Sequence, residues 1–455
     1  MQENKAISFN SLIIFLACTG MFLSTLDTGI MTIALPFFTK HFHTTPTITT
    51  LSISGYTMTL AAVIMLLGVL SDQIGKLKIS MFGLTIFGLS SLLAGFSTNI
   101  NALIIFRIIQ GIGAAGVQAT AIALITTHID KKHLQAAIGT LGIAIGLGPV
   151  LGPTVGGVLL FMGSWRWIFW INVPIIIVSL MVNAYLLRHI KEETRQGQKI
   201  DKLGAALISG AILTLLSGLS IIKTNLAVGS LLLITALILL VLLLKIEKQK
   251  NKGLLSLNVY QNSPGLGLCL LQTTTFGFTS ALIFLFPPFL LEKILGVNSG
   301  MAGLFILGTP IGLVIFSRIS SKHNNGKKSK QFVSLGLLLM GLSFLLLLLC
   351  HHFLTSYLVT LFLLLYGVGG GCFQPANIAL ITSAVPNTIQ GEISSLQRML
   401  QNMGIAIGAT IGGLILSVNF AKIDNITIGW LIGVLALAIM STISLTFQDK
   451  QVFRR

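Results

Sequence analysis

Asp27 is the residue from which any chemistry in this chain has to be argued. It stands in a long apolar run, nine residues before Pro36, which on a helix rising 1.5 Å per residue puts it roughly 13 Å inside the end of that run. Of the 12 acidic residues, Glu3, Asp72, Asp130, Glu192, Glu193, Asp201, Glu247, Asp424 and Asp449 fall in short polar joints or tails, and Glu292 and Glu392 at the ends of apolar runs. Arg107 is the basic counterpart, six residues into the fourth apolar run and so roughly 9 Å deep. An ionisable group in hydrocarbon costs at least about 2.5–3.5 kcal/mol, so each has a functional role by default. An aspartate and an arginine at similar depth on neighbouring helices form a buried pair. Such a pair can change protonation when a cation or dipole competes for the carboxylate, which would let a proton be exchanged for a substrate. The plainer alternative is a static pair that locks two helices.

The elements that must position these groups are membrane helices. The chain has 455 residues, 54% of them hydrophobic and 9% charged, against about 25% charged in a soluble domain. A spanning helix needs about 20 apolar residues. The sequence offers fourteen such runs, near 10–36, 46–70, 79–97, 101–127, 135–161, 167–187, 203–222, 227–244, 264–291, 299–317, 331–349, 354–385, 393–417 and 426–446. They are continuous and rich in Leu, Ile and Gly, unlike the ten-residue alternating segments of an outer-membrane barrel. The reading is an all-α polytopic membrane protein of 14 transmembrane helices. The short joints exclude a soluble enzyme, a nucleic-acid-binding domain and a single-span receptor.

The net charge of +17 is a topology signal rather than a nucleic-acid footprint. With the first residue in the cytoplasm, 22 of the 29 Lys and Arg lie in internal joints and tails, 5 in outer joints, and Arg107 and Arg398 within spans. Both termini are therefore expected in the cytoplasm, with the first span retained rather than cleaved as a signal peptide. Cys18, Cys269, Cys350 and Cys372 lie in or at the ends of apolar runs without CxxC spacing, so neither a disulfide nor a metal is expected. No Walker loop, HExxH or nucleophile elbow occurs in a plausible context, and no cofactor is expected. The eight histidines, His351 and His352 among them, sit in joints or at span ends and read as interfacial.

Internal similarity suggests duplication. Gly142-Ile-Ala-Ile-Gly146 in the fifth run recurs as Gly404-Ile-Ala-Ile-Gly408 in the thirteenth. Gln110-Gly-Ile-Gly113 in the fourth is matched by Tyr366-Gly-Val-Gly369 in the twelfth, and Leu35-Pro36-Phe37-Phe38 by Pro287-Pro288-Phe289. The expected organisation is a six-helix bundle over 1–190, two inserted helices over 191–252, and a second six-helix bundle over 253–455.

The joint Gly68-Val-Leu-Ser-Asp72-Gln-Ile-Gly75-Lys76-Leu-Lys78 combines turn glycines, an acid able to cap the next helix and two bases. This run resembles the signature loop of the major facilitator superfamily of transporters. Four further segments match in order. LIIFRIIQGIGAA (103–115) is similar to the superfamily's fourth-span motif, whose arginine is implicated in proton coupling. GIAIGLGPVLGPTVGG (142–157), with Gly142, Gly146, Gly148, Pro149, Gly152, Pro153, Gly156 and Gly157, resembles the fifth-span antiporter motif. LDTGIMTIALP (26–36) and WRWIFWINVP (165–174) resemble the first span and the fifth-to-sixth joint of the fourteen-span drug:proton antiporters.

The resemblance implies a fold of two rocking bundles and a cavity lined by spans 1, 4, 9 and 12. Candidate substrate contacts are then Asp27, Met31, Gln110, Gln118, Gln272, Phe276, Phe373, Gln374 and Asn377, with Asp27 and Arg107 coupling protons and Gly68, Asp72, Gly75 and Lys76 gating. The mixture of aromatic, Met and amide side chains suits amphipathic aromatic compounds. The second half departs from the first: Leu363 matches Arg107, Phe278 falls opposite Asp27, and the 318–330 joint lacks a clean signature loop. Proton chemistry is thus expected in the first half only. No extra acid in the second or tenth span argues against a strong preference for dications. The expected function is proton-coupled export of drugs or dyes by a monomer in the bacterial cytoplasmic membrane, with substrate, protons and lipid as its partners. The rivals are a narrow exporter of one metabolite or lipid, and a non-transporting sensor or scaffold.

Overall fold

The structure is a computed structural model and describes the chain apart from residues 1, 45, 162–163, 193–201, 223–224, 250–263, 298, 325–327, 387–388, 418–424 and 450–455. The described residues form helices α1 (Gln2–His41), α2 (Pro46–Ile74), α3 (Lys76–Gly95), α4 (Ile100–His128), α5 (Lys131–Phe161), α6 (Trp167–Trp170), α7 (Asn172–His189), α8 (Lys202–Ile221) and α9 (Leu226–Gln249). They continue with α10 (Pro264–Phe289), a π turn (Leu290–Ile294), α11 (Ser299–Ile306), α12 (Gly308–His323), α13 (Ser329–Leu349), α14 (Ser356–Ser383), α15 (Gln390–Ser417) and α16 (Asn425–Asp449). Among the described residues there is no strand. Helix is the form these sequences must take in hydrocarbon, because it satisfies each backbone N–H and C=O within the segment.

A helix lies at each run the sequence analysis marked out, with α6 and α7 sharing one and α11 and α12 another. Eleven described stretches are long and apolar enough to cross a membrane, from Phe9–Met31 to Asn425–Thr446, and Ala206–Gly218 in α8 is a shorter apolar helix. The protein is a multi-pass membrane protein. The tenth run departs from expectation, since it breaks at Leu307 instead of running unbroken over 299–317. Pro310 has no N–H to return to the carbonyl of Ile306, and the Leu307 N–H turns back to the Leu304 carbonyl at 3.2 Å.

The chain forms two compact units. The first comprises Met1–Thr214, Thr235–Leu255 and Val385–Met399; the second comprises Leu215–Ile234, Ser256–Ala384 and Leu400–Arg455. In the first, α1 lies along α5, and α4 is flanked by α2 and α3. In the second, α14 is flanked by α12 and α13. Each of these inner helices begins at a side-chain cap: Asn99 Oδ1 accepts from the Ala102 N–H at 2.8 Å, and Thr355 Oγ1 from the Leu358 N–H at 3.4 Å.

Candidate functional site

Asp27 on α1 and Arg107 on α4 meet. The Arg107 Nη1 donates to Asp27 Oδ2, and the two side chains have 0% exposure. Other groups complete the shell. Arg107 Nη1 also donates to Gln110 Oε1 at 2.6 Å, and its Nε donates to the Ser52 carbonyl on α2 at 3.2 Å. The guanidinium carbon lies 4.3 Å from the centre of the Tyr56 ring, a distance at which a cation is attracted to a ring face. The second carboxylate oxygen, Asp27 Oδ1, accepts from Gln110 Nε2 at 3.1 Å and from Asn172 Nδ2 at 3.4 Å. Gln110 Nε2 and Asn172 Nδ2 also donate to Ser91 Oγ on α3, at 2.7 and 3.4 Å. Five helices, α1, α2, α3, α4 and α7, thus converge on one carboxylate.

The chain puts these groups on one level by simple means. Arg107, Gln110 and Gln118 stand three and eleven residues apart on α4, nearly whole turns, so they share a face. Gly111 lets that face approach α2 closely: a Cβ there would lie 2.6 Å from the Tyr56 carbonyl oxygen. About two turns along α4 from Gln110, Gln118 Nε2 donates to Ser24 Oγ at 2.6 Å, and the Tyr56 hydroxyl lies 3.1 Å from the same oxygen. Gln110 therefore braces the pair directly, and Gln118 ties α4 to α1 beside it. Met31 is likewise packed, fully buried among Leu26, Ile30, Phe38, Leu103, Trp165 and Phe169. Beyond Met31 the rings of α1 meet those of the Trp165 joint, with Phe38 and Trp165 5.4 Å apart edge to face.

The signature loop is a buried knot at the α2–α3 junction. Asp72 and Lys76 form an ion pair at 3.2 Å, both almost fully buried. Gly75 between them has φ of 123°, a conformation that favours glycine. The amide of Leu77 at the start of α3 is taken by Glu192 Oε1 at 2.9 Å, reaching over from beyond the end of α7. Gly68 accepts from Ser71 Oγ through its carbonyl at 2.7 Å. The sequence analysis left Glu192 in a run of joint charges; the structure puts it on the loop, where a Cβ at Gly75 would meet its Oε2 at 2.4 Å.

The antiporter-motif glycines form the seam between α5 and α1. A Cβ at Gly152 would stand 2.6 Å from the Gly29 backbone, at Gly148 2.6 Å from the Leu26 nitrogen, and at Gly156 3.3 Å from the Ile30 carbonyl oxygen. Gly157 has open space, and Gly142 and Gly146 are buried in α5. The side chains of Pro149 and Pro153 lie outside the described residues, as does that of Glu292. Small residues at every fourth position allow two membrane helices to touch backbone to backbone.

The second unit holds the remaining candidates. Phe276 on α10 and Phe373 on α14 are buried with ring centres 5.2 Å apart. Asn377 Nδ2 donates to the Cys269 carbonyl at 3.1 Å and to Thr273 Oγ1 at 2.7 Å, and Gln272 Nε2 donates to Ser444 Oγ at 3.1 Å. Three carboxamides here have unpaired buried atoms: Asn377 Oδ1, Gln272 Oε1, and both ends of Gln374. Leaving a buried polar group unpaired costs about 1–3 kcal/mol. Leu363 is core and Phe278 packs its backbone on Gly404 and Gly408. Asn183 on α7 of the first unit is also unpaired at both ends. Among the described residues no group of three His, Cys, Asp or Glu could hold a metal ion, and the four cysteines are free thiols.

The family model described as Major Facilitator Superfamily matches residues 17–267 and 268–451. The chain belongs to this superfamily. It is 31% identical over 417 residues, 89% of this chain and 86% of the relative, to a Salmonella heidelberg (strain SL476) protein that bears the provisional name multidrug resistance protein MdtD. It is 27% identical over 399 residues, 87% of this chain and 86% of the relative, to the riboflavin transporter RibZ of Clostridioides difficile (strain 630). Two solved structures share the superfamily fold at a TM-score of 0.70. The human organic anion transporter MFSD10 is 15% identical and the match covers 95% of this chain and 99% of that one. The proton:xylose symporter XylE is 14% identical, covering 98% and 96%. The chain is thus a membrane transporter of this superfamily, whose members named here move small molecules.

Asn172, Ser91 and Tyr56 were not singled out from sequence. Asn172 lay within the quoted WRWIFWINVP segment, where an amide among aromatic and apolar residues was a usable signal. Ser91 and Tyr56 carried none, because single hydroxyls are common in membrane helices.

Proposed function

We propose that this protein exports small amphipathic aromatic compounds from the bacterial cytoplasm in exchange for protons. In this reading both termini are cytoplasmic and fourteen helices form two six-helix bundles, over 1–190 and 253–455, with 191–252 inserted. The observation that carries the coupling is the Asp27–Arg107 pair, a single carboxylate sealed from solvent and held by donors from α4 and α7. A proton arriving on Asp27 removes the charge that Arg107 faces. Arg107 keeps the Ser52 carbonyl and Gln110, so the cation stays solvated by protein while α1 is released to slide on the glycine seam of α5. A cationic or polar substrate group competing for the carboxylate would drive the proton off. Gly68, Asp72, Gly75 and Lys76, closed by Glu192, act as the cytoplasmic latch.

The energetics suit one carboxylate. One proton crossing 100 mV contributes roughly 2.3 kcal/mol, which sustains about a fortyfold gradient of one neutral substrate. When a monocation leaves for each proton that enters, only the pH difference drives export. A second reading, a narrower exporter of one heteroaromatic metabolite, is favoured by the relative named as a riboflavin transporter. The export test is ethidium efflux from proteoliposomes under an imposed inward proton gradient. Wild type is expected to move dye uphill and Asp27→Asn to bind it without uphill transport; equal uphill transport by the variant contradicts the coupling role. A panel of unrelated planar compounds separates the broad from the narrow substrate range.

A further inference from the structure

Gln374 sits in a part of α14 that is built unlike its surroundings. Pro375 follows it, and a proline there has no N–H for the Gly371 carbonyl, which loosens the turn that carries Phe373 and Gln374. Gln374 is 3% exposed, yet neither Nε2 nor Oε1 has a partner among the described residues. One residue before it, the Phe373 ring lies against Phe276 at 5.2 Å and 34°. One turn after it, Asn377 has its Nδ2 committed to Cys269 and Thr273 and its Oδ1 unpaired. By contrast, both ends of the Gln110 carboxamide are engaged by Arg107, Asp27 and Ser91.

A carboxamide presents a donor and an acceptor side by side. Its complement is another cis amide: a ring N–H adjacent to a ring C=O, as in a lactam or imide, which pairs through two parallel hydrogen bonds. A planar ring bearing such an edge also suits an aromatic pair as its neighbour. We propose that Gln374 is a specificity-determining residue that reads the lactam or imide edge of a planar heteroaromatic substrate, with Phe276 and Phe373 supplying ring contacts and Asn377 Oδ1 a further acceptor. This rests on the reading of the chain as an exporter of aromatic compounds and names a substrate class within it. A site built to hydrogen-bond a substrate N–H rejects the analogue that lacks it, because the site's own polar groups are then left unpaired.

The test is equilibrium binding to the purified full chain in detergent, which needs no proton gradient. The probes are riboflavin, whose ring carries an imide, its N3-methyl derivative, in which that N–H is blocked, and ethidium, which has no such edge. Wild type is expected to bind riboflavin at least about tenfold more tightly than the methylated form, the effect of two neutral hydrogen bonds. In Gln374→Met that preference falls below about twofold, and riboflavin loses more affinity than ethidium does. Gln374→Met is also expected to unfold at the same temperature as wild type or higher, since it removes a buried unpaired amide; a lower midpoint with retained imide preference would mark Gln374 as structural and overturn the proposal. Undiminished discrimination in the variant, or no discrimination in wild type, overturns it as well. Imide-selective binding without gradient-driven ethidium efflux would instead sink the exporter reading and leave the Gln374 assignment standing.

Discussion

The candidate residues of the two units handle buried polarity differently, although the first unit too leaves Arg107 Nη2 and both ends of Asn183 unpaired. In the first, a charged pair is closed: both Asp27 oxygens and most of the Arg107 donors are engaged, and Gln110 and Asn172 hold the carboxylate from two further directions. In the second, the helices α10 and α14 carry no charge at the matching positions, Phe278 and Leu363, and their carboxamides are open, with Gln374 free at both ends. A closed ionic network responds to one event, the loss or gain of a proton, because removing one partner of a buried pair costs about 3–5 kcal/mol. An open set of neutral amides responds to the shape and donor pattern of whatever arrives. The contrast teaches that a charged pair and a set of open neutral amides can be held in different units of one fold, which accords with the uncharged residues at Phe278 and Leu363.

Five perturbations would break or sharpen that contrast. The largest effect is expected from Asp27→Asn, which should lower gradient-driven ethidium accumulation by at least about a hundredfold, with binding within severalfold of wild type; proteoliposome flux and fluorescence titration measure the two. About a hundredfold corresponds to roughly 2.8 kcal/mol, just under the about 3–5 kcal/mol for breaking a buried pair. Arg107→Lys should be nearly as damaging, because one ammonium cannot reproduce the guanidinium's contacts to Ser52, Asp27 and Gln110. A smaller loss, about tenfold in turnover, is expected from Gly152→Ala, whose methyl would press on the Gly29 backbone at 2.6 Å; the same change at Gly157, which faces open space, should leave turnover within twofold. Asn172→Leu removes one donor from Asp27 and should change transport by about fivefold, near 1 kcal/mol, below the about 1.5–3 kcal/mol of a well-formed hydrogen bond to a charged group because this contact is long at 3.4 Å. The smallest effect belongs to Glu192→Ala. It strips the α3 start of its acceptor at Leu77 and should lower thermal stability by about 1 kcal/mol, the usual worth of a cap, with little change in substrate affinity.

The sequence made the fold and the charged pair legible for physical reasons. Hydrocarbon length fixes the period of the apolar runs, and a lone acid within a span has few partners besides Arg107, the base at matched depth. Azimuth was not legible: the sequence gives the depth of Gln110 and Gln118 but not that they turn toward Asp27 and Ser24 rather than toward a substrate. Nor does one dimension show the packing of Met31, since a methionine facing a core and one facing a cavity look alike there. Glu192 was hidden by its neighbours Lys191 and Glu193, which make it look like part of a solvated run. The break at Leu307 had a visible cause in Pro310, but continuous apolarity over 299–317 outweighed it. The opened carboxamide of Gln374 was visible only as a residue type, because being unpaired is a property of the packed structure.

The central claim is that substrate and proton compete for Asp27. It is tested most directly by adding ethidium to the purified protein in weakly buffered detergent solution and recording proton release with a pH-sensitive dye. The account predicts close to one proton released per ethidium bound by wild type, and none by Asp27→Asn although that variant still binds ethidium. Equal proton release from the variant, or two or more protons per substrate from wild type, would contradict it.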